Sequence, residues 1–514
     1  MTDAVINDQT LPTGLQRWAI VLCGTVGTWS YSFIWNSVGV ALPDMKGSFA
    51  ATNDQITWVM IGFVVGGAIM TASIGWLSAR IGRKQLFMLG MGGFTVSLLG
   101  CGAATTLEAE VFWRFIQGLA GAPLLSLGQL IVVNAFPRER YTQATSLWAL
   151  GFVTGNVVAP ALGGYLIEHY GWPWIFYANV PIGVAIFLLA WAVVPLTPKT
   201  NPKLDWIGFV SLIVGVALLQ FSLARAERLD WFASTEFTIE IFAACLLLYI
   251  FVTHTMTATE SFVDRRLFRD RNFILGQFIV FVMGGVIYIP LLLLPLMLQQ
   301  IADYPAIEIG NLLFVRGFGS IITLLIMTQL REKIDPRPLV VLGLALTVIP
   351  SWRMAYWTTD VLPFEVMWTN FLQGTGTSLL WAPLNRLVLS RLKGPMQDQG
   401  FALFYLTYDI GNAIGTSLII GMHSRYSQIN HAVLAEHINP FNELLRYGTL
   451  RGNWSIDDIP GLSALDNEVT RQAAMIAYNN TFLVITILTA ATAPLIFLFR
   501  RYARADADDE GAQP

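Results

Sequence analysis

Long apolar stretches alternate with short polar segments along almost the whole chain. Stretches of about 20 residues, long enough to cross a bilayer as a helix, begin near Trp18, Gln55, Leu86, Leu107, Ala144 and Ile175. Two more cover 205–223 and 237–257, and six others begin near Asn272, Ile307, Pro338, Leu362, Gly400 and Thr481. The pattern predicts an all-α polytopic membrane protein with fourteen transmembrane helices.

The composition indicates that this chain is embedded in a membrane, and it excludes several classes of function. Of 514 residues, 54% are hydrophobic and only 13% are charged, which is too little polar surface for a soluble globule. The net charge of -3 favours neither nucleic acid nor an acidic partner. The sequence has no phosphate-binding G-x-x-x-x-G-K-[ST] motif, and its five histidines are scattered without metal-ligand spacing. We therefore expect a secondary transporter rather than an ATP-driven pump or an enzyme, and no cofactor.

An internal repeat divides the chain into two related halves. Residues 75–90 align without gaps with residues 328–343 at an offset of 253, and residues 114–118 align with 370–374 at an offset of 256. Parallel repeats of this kind are typical of transporters that bind substrate near the midplane between the two halves. The segments between the halves have no counterpart in the repeat, so we interpret them as insertions.

The repeat and the distribution of charge predict a domain order and a topology. Lysine and arginine are concentrated in alternate loops, which predicts that both termini are cytoplasmic. The predicted units are a tail (1–16), an N-terminal six-helix bundle (17–197), two inserted helices (198–260), a C-terminal six-helix bundle (261–500) and a second tail (501–514). Within the C-terminal bundle, the long connection 425–475 is predicted to lie outside, as a functional surface or a flexible tether.

One predicted helix carries a regular face of small residues. In the stretch G-F-V-T-G-N-V-V-A-P-A-L-G-G, which ends at Gly164, small residues recur at every fourth position: Gly151, Gly155, Ala159 and Gly163. Such a face lets another backbone approach closely. Pro160 has no N–H to donate, so a bend is predicted there. Taken alone, the pattern fits ordinary helix packing as well as a moving seam.

Together with G-W-P-W-I-F-Y-A-N-V-P-I-G at 171–183, this stretch resembles the antiporter motif and following helix of the fourteen-span drug:proton antiporters of the major facilitator superfamily. The resemblance implies the major facilitator fold and proton-coupled export of drugs or toxic amphipathic compounds across the bacterial cytoplasmic membrane. It also implies a lipophilic or aromatic small-molecule substrate, protons, and a periplasmic adaptor protein as partners. The alternative is a narrow exporter or importer of one metabolite or siderophore on the same fold.

The loop between the second and third predicted spans resembles a second motif of the superfamily. The matching residues are Gly75, Arg80, Gly82, Arg83 and Lys84. The family usually places an aspartate at the position of Ala79, where a carboxylate can interact with a helix N-terminus and latch one conformation. The alternative interpretation is a loop that only follows the positive-inside rule.

Arg114 and Gln117 lie three residues apart in the fourth predicted span and share one face. A charge at the centre of a membrane helix costs about 2.5 to 3.5 kcal/mol on insertion scales, so Arg114 should face the bundle interior. The pair resembles the superfamily motif whose arginine is tied to proton coupling. An arginine that only hydrogen-bonds backbone carbonyls is the alternative.

The first predicted span ends V-G-V-A-L-P at 38–43, similar to the first-helix motif of the fourteen-span family. The acid and the asparagine that commonly accompany that motif are replaced by Ile34 and Gly39. The segment instead offers candidate substrate-binding residues for an apolar or aromatic ligand. These are Tyr31, Phe33, Trp35 and Asn36, to which we add Tyr408 in the second half. An aromatic packing surface is the alternative.

Asp409, in Y-L-T-Y-D-I-G-N-A-I-G, is the only acid that the predicted spans place deep in a helix of either bundle. Desolvation disfavours the ionised carboxylate there, and a nearby cation or aqueous cavity favours it again. A carboxyl in such a site can load and release a proton, so we predict a role in proton coupling. An acid that hydrogen-bonds across helices or lines a wet cavity is the alternative.

Overall fold

The computed structural model of the protein describes most of the chain. The described residues are 12, 14–137, 140–197, 199, 204–258, 261–329, 334–389, 392, 395–439, 441–442, 454 and 458–499. The predicted tail 501–514, most of the tail 1–16 and the middle of the connection 425–475 lie outside the described residues.

Fourteen long helical segments follow one another through the described residues. The first half contains α1 (Gly14–Ser48), α2 (Trp58–Ile81), α3 (Arg83–Gly102), α4 (Leu107–Asn134), α5 (Tyr141–Tyr170) and α6 (Trp174–Val193). The inserted pair is α7 (Trp206–Arg225) and α8 (Thr235–Thr257). The second half contains α9 (Arg271–Gln300), α10 (Ala306–Gln329), α11 (Pro336–Met354), α12 (Pro363–Leu389), α13 (Pro395–Ala435) and α14 (Ile459–Ile496).

The predicted all-α membrane class is confirmed, because ten of these helices are long and apolar enough to cross a membrane by length and composition. The other four, α1, α11, α12 and α13, are 19 to 41 residues long but more polar. Fourteen crossings therefore remain a prediction. Many helices begin where a side chain accepts hydrogen bonds from the free N–H groups of the first turn. These caps include Thr106, Asp205, Ser234, Asp270, Asp335 and Asp458.

The helices pack in the same way in both halves. In the first half α1 packs against α5 and α4 against α2 and α3, while in the second half α9 packs against α13 and α12 against α10 and α11. The two halves meet where α2 contacts α13 and where α5 contacts α10. The inserted helices pack against each other, and α7 also contacts both α2 and α13, so it covers one of the two lines along which the halves meet.

The prediction that 425–475 is a loop is wrong for most of that stretch. Helix α13 continues to Ala435 and α14 already begins at Ile459, capped by Asp458. We call residues 425–435 and 459–475 the outer extension. Its two helical segments are joined by a hydrogen bond between His431 and Asp466, with 3.2 Å between Nε2 and Oδ1. The charged residues of the described parts of this stretch instead belong to helices α13 and α14.

Candidate functional site

The small residues of α5 form a seam with α1. A Cβ atom on Gly155 would lie 2.7 Å from the carbonyl oxygen of Trp29, and one on Gly163 would lie 2.9 Å from Oγ of Ser37. Gly151 likewise abuts the carbonyl oxygen of Thr25. The helix runs on through the exposed Pro160, and a Cβ atom on Gly164 would meet nothing within 4 Å, so Gly164 lies outside the seam.

The second half repeats this seam between α13 and α9. Gly411 and Gly415, 256 residues after Gly155 and Ala159, abut the backbone of Phe281 and Gly285. Added side chains would clash with backbone atoms, which cannot move aside as a flexible side chain can. Both halves are therefore built on a close backbone approach of their first and fifth helices.

The predicted aromatic residues of α1 separate into two groups. Tyr31 and Trp35 are half-buried, and both rings pack at 5.3 Å from the ring of Phe63 on α2. Asn36 donates a hydrogen bond of 2.6 Å to Asn156 of α5. Phe33, in contrast, is 1% exposed and stacks on Trp29, so its ring has no free surface for a ligand.

Asp409 is half-buried in the middle of α13. Tyrosines from both halves lie within electrostatic range of its carboxyl: Tyr31 of α1, Tyr288 of α9, and Tyr405 and Tyr408 of α13. The ring of Tyr408 packs edge-on against Trp381, with centroids 5.3 Å apart. Gln220 of the inserted helix α7 donates a hydrogen bond of 3.1 Å to the backbone carbonyl of Asp409. The acid thus lies where both halves and the insertion meet.

Arg114 faces the interior of the first half, as predicted, and is completely buried. Its guanidinium donates to Gln117 and, over 3.3 Å, to the backbone carbonyl of Val59 on α2. It also lies 4.4 Å from the ring centroid of Phe63, a cation–π distance. Tyr31 lies within electrostatic range of both Arg114 and Asp409.

A second buried arginine, Arg316 of α10, was missed in the sequence. Its Nη1 donates a hydrogen bond of 2.8 Å to Gln373, and its Nη2 donates one of 3.3 Å to the carbonyl of Ile287. That carbonyl precedes the interruption of α9 at Tyr288. Gln373 is the repeat counterpart of Gln117. Its position as a single arginine within the apolar stretch F-V-R-G-F could have identified it as a buried charge.

Two further acids of the bundles are buried, each in the first turn of its helix rather than deep in a span. Glu110 of α4 is completely buried, four residues before Arg114. Asp398, in the first turn of α13, is 4% exposed. The sequence L-E-A-E at the start of α4 resembles an ordinary acidic helix start, and only the packing of neighbouring helices buries the second of its two acids.

The loop motif joins the two halves at one end of the bundle. Gly82 links α2 and α3 with a φ of 97°, a backbone conformation that residues other than glycine rarely adopt. Arg83 then pairs with Asp398 of α13 at 2.6 Å, and Ser78 donates to the same carboxylate over 3.0 Å. The acid that is missing at Ala79 is thus supplied from the other half.

The remaining motif residues make different contacts around this junction. A Cβ atom on Gly75 would lie 3.4 Å from Cα of Gln399, so α2 and α13 approach closely. Lys84 donates to the carbonyl of Trp191 over 2.6 Å, and Arg80 lies over the ring of Trp76 at 5.1 Å. Gly75 and Arg83 therefore contribute to the contact between the halves, while these contacts of Lys84 and Arg80 lie within the first half.

One further hydrogen bond connects equivalent residues of the two repeats. Gln129 of α4 donates to Oδ1 of Asn385 of α12 over 3.1 Å, and these residues are 256 positions apart. Tyr405 of α13 donates to the same Gln129. A contact between equivalent positions lies on the axis that relates the halves. Because α4 and α12 end shortly after these residues, this contact lies toward the same end of the bundle as Arg83 and Asp398.

Comparison with known proteins gives a consistent picture. The family model described as "Major Facilitator Superfamily" matches residues 24–416. The chain is 31% identical over 453 residues to the "Multidrug export protein EmrB" of Haemophilus influenzae, covering 86% of this chain and 88% of that protein. It is 30% identical over 464 residues to the "Fatty acid resistance protein FarB" of Neisseria gonorrhoeae, covering 89% and 91%.

Solved structures share the fold at low sequence identity. The human organic anion transporter MFSD10 (TETRAN) superposes with a TM-score of 0.59 at 15% identity, covering 93% of this chain and 100% of that one. The proton:xylose symporter XylE superposes with a TM-score of 0.58 at 13% identity, covering 94% and 99%.

Proposed function

This chain belongs to the Major Facilitator Superfamily, and we propose that it is a proton-coupled exporter of drugs or other toxic amphipathic compounds in a bacterial cytoplasmic membrane. The names of its relatives, which export drugs or confer resistance to fatty acids, favour export of many compounds over import of one metabolite. Its substrates are small molecules, and we expect lipophilic or aromatic ones.

The position of Asp409 is the observation that carries this proposal. A carboxyl in the middle of α13, half-buried among tyrosines of both halves, is surrounded by groups whose arrangement depends on how the halves sit. Loss of a neighbouring donor, or a drier environment, favours the protonated acid, whereas water or a cationic group favours the carboxylate. Rocking of the halves thereby changes the affinity for a proton, which is the condition for coupling proton entry to substrate exit.

The candidate residues suit an apolar substrate. Tyr31, Trp35 and Tyr408 are half-buried aromatic residues, and the Asn36–Asn156 pair offers amide groups that can fix a ligand's orientation. The other candidate, Phe33, is buried in a stack on Trp29 and takes no part in this surface. A surface with several aromatic rings and few directional polar groups can accept ligands of different shapes.

The contacts between the halves favour one conformation of the transport cycle. Arg83–Asp398 and Gln129–Asn385 join the halves toward the end that the positive-inside prediction makes cytoplasmic. In the proposed cycle this is the state closed to the cytoplasm, from which substrate leaves to the outside and a proton enters.

Substitution of Asp409 tests the proposal. The Asp409→Asn variant keeps the shape of the site but cannot exchange a proton, so gradient-driven export should fall to background while substrate binding persists. We would measure uptake of a panel of lipophilic cations and lipophilic weak acids into inside-out vesicles, with the proton gradient intact or collapsed. Asp44→Asn, which changes an exposed acid at the end of α1, is the control. Wild-type export by Asp409→Asn across the panel would refute the assignment.

We further propose that the outer extension binds a periplasmic adaptor protein. A helix of 41 residues is about 61 Å long, about twice the hydrocarbon thickness of a bilayer, so α13 projects well beyond it. Tyr426, Ile429 and Val433 follow one another at helical spacing and are 38 to 50% exposed. An apolar stripe on a projecting helix is a suitable docking surface for a partner.

Replacing this stripe by serine tests the adaptor proposal. Tyr426→Ser, Ile429→Ser and Val433→Ser together should abolish co-purification of a co-expressed periplasmic adaptor while transport in proteoliposomes stays intact. Exposed apolar residues of α8, such as Phe242 and Tyr249, provide a matched control surface. An adaptor that still co-purifies with the triple variant would contradict this role of the outer extension.

A further inference from the structure

Glu110 is a buried acid whose environment does not fit a structural role. Its side chain is completely buried, and among the described residues neither carboxyl oxygen has a hydrogen-bond partner. Glu108, in the same first turn of α4, is exposed. The helix dipole favours a carboxylate in this turn, yet no N–H group is directed at Glu110. A buried carboxylate without donors is costly, and a protonated carboxyl is much less so.

The titratable and charged groups that face Glu110 are few. Cys101 of α3 is close enough to interact with the carboxyl but makes no hydrogen bond of normal geometry to it. Arg114 lies one turn away on α4, but its guanidinium donates to Gln117 and to the carbonyl of Val59. The cation that could pair with Glu110 is thus held by other partners in this conformation.

The second half shows that the fold does not need an acid at this position. The repeat counterpart of Glu110, at an offset of 256, is Val366, which is completely buried as well. The packing environment at this point of the bundle therefore accepts a valine. An acid that costs energy at a position where an apolar residue suffices calls for a functional explanation.

We propose that Glu110 is a second proton-binding group of this transporter, placed between the outer end of α4 and Asp409. In the present conformation the carboxyl carries its proton. When the halves rock, the Arg114 guanidinium moves from Gln117 to Glu110 and pairs with the Glu110 carboxylate, while the proton passes inward to the carboxylate of Asp409. With the predicted topology, Glu110 lies one turn from the outer end of α4, where protons enter in an exporter. The inference rests on the proposed proton coupling.

Infrared spectroscopy of the purified full-length protein in lipid tests proton binding without a substrate. Wild type should show absorption of buried protonated carboxyls at neutral pH, and Glu110→Gln should remove one component of it. Asp409→Asn should remove a different component or none, and Glu108→Gln, the exposed neighbour, should remove none. Gln117→Leu frees the Arg114 guanidinium to pair with Glu110. It should therefore lower the pH at which the absorption of protonated Glu110 disappears. An unchanged spectrum in Glu110→Gln would overturn the proposal.

A transport measurement separates this inference from the proposed function. With whichever compound of the cation and weak-acid panel wild type exports, Glu110→Gln should lower gradient-driven export about tenfold while gradient-free exchange persists. If Glu110→Gln folds poorly, Glu110→Val copies the other half and should fold. Equal gradient-driven export in wild type and Glu110→Val would refute the role of Glu110. Absence of gradient-driven export in wild type would refute the proposed function, while the infrared result still decides whether Glu110 binds a proton.

Discussion

The two halves of the molecule share a backbone plan but distribute their charges differently. Each half packs a glycine-rich helix against its first helix, and each holds a buried arginine against a repeat-equivalent glutamine, Gln117 or Gln373. The acids, however, lie at positions that are not equivalent. Glu110 corresponds to Val366, and Asp409 corresponds to Val153. Each half therefore has an acid where the other has a valine.

The arginines differ in a related way. A Cβ atom on Gly118 would abut the carbonyl of Phe63, and one on Gly374 would abut the carbonyl of Arg316, so Phe63 and Arg316 occupy equivalent places. Arg114 in turn corresponds to Asn370. The cation thus comes from α4 in one half and from α10 in the other. Both halves keep the glycine seam and the glutamine, Gln117 or Gln373. The helix that supplies the arginine differs, and this difference lets the two halves bind protons differently.

The largest effect is expected from filling the seam that both halves share. Gly155→Leu and Gly411→Leu place side chains against backbone atoms of α1 and α9, and overpacking of this kind costs about 1 to 3 kcal/mol or more. Both variants should lose transport and melt at lower temperature, as measured by efflux in vesicles and by thermal unfolding. Gly164→Leu, where nothing lies within 4 Å, should behave as wild type. Full activity in Gly155→Leu would show that the seam is not essential to movement.

The second prediction moves the buried arginine of the first half to the position that the arginine occupies in the second half. Arg114→Asn leaves Gln117 without its guanidinium donor, which costs about 1 to 3 kcal/mol for a buried group. Adding Phe63→Arg copies the second half, where the cation comes from the helix equivalent to α2. Export should fall about tenfold in Arg114→Asn and recover substantially in the double variant. A double variant no better than Arg114→Asn would show that the halves are not interchangeable at this point.

Sequence patterns identified the features that depend on backbone periodicity. The spacing of Gly151, Gly155 and Gly163 determines a close helix contact in any membrane bundle, and an acid such as Asp409 within an apolar stretch is conspicuous. Glu110 and Asp398 were missed because each lies in the first turn of a helix, where an acid is usually exposed. Only neighbouring helices bury them, and this packing is not visible in a local pattern.

The limits of the outer extension were missed for the opposite reason. Hydropathy detects the part of a helix that lies in lipid and not the part that continues into water. Helix α14 begins at Ile459, whereas the apolar stretch that predicted it begins near Thr481. The hydrogen bond between His431 and Asp466 and the cap at Asp458 stabilise the polar parts of these two helices.

A smaller effect is expected at the pair that joins the halves. Arg83 and Asp398 are 18% and 5% exposed in their side chains, so their interaction is stronger than that of a surface pair. Asp398→Asn should weaken the contact between the halves at this end of the bundle by about 1 to 2 kcal/mol, a population shift of about 5- to 30-fold. The labelling rate of a cysteine at Ala402, in a variant without the native cysteines, would report the opening.

Placing an acid in the first half, opposite the position of Asp398, sharpens this test. The resemblance to the superfamily's loop motif implies an aspartate at the position of Ala79, and Ala79→Asp added to Asp398→Asn should slow the labelling again. Asp360→Asn, an exposed acid outside the junction, should leave the rate unchanged. Equal labelling in wild type and Asp398→Asn would show that the ion pair does not hold this end closed.

The smallest effect concerns the inserted helices, which belong to neither half by sequence. Asp205 caps α7 through the N–H of Gly208, and it also accepts hydrogen bonds from the N–H of Phe262 and from His254. Burial pushes the pKa of Asp205 upward, but these donors together hold it below its ordinary value. The carboxylate therefore ties the insertion to the start of the second half, because Phe262 leads into α9.

A depressed pKa in the folded protein means that the stabilisation is present above the ordinary pKa of an aspartate, about 3.9, and is lost as the pH falls through the folded value. Asp205→Asn can still cap the helix but has no charge, so its melting temperature should lie a few degrees below that of wild type at pH 7 and approach it in acid. His254→Gln is the control that removes only the histidine donor. If Asp205→Asn and wild type melt alike at pH 7, the insertion is held mainly by its apolar contacts with α2 and α13, and the charge at the junction with the second half contributes little.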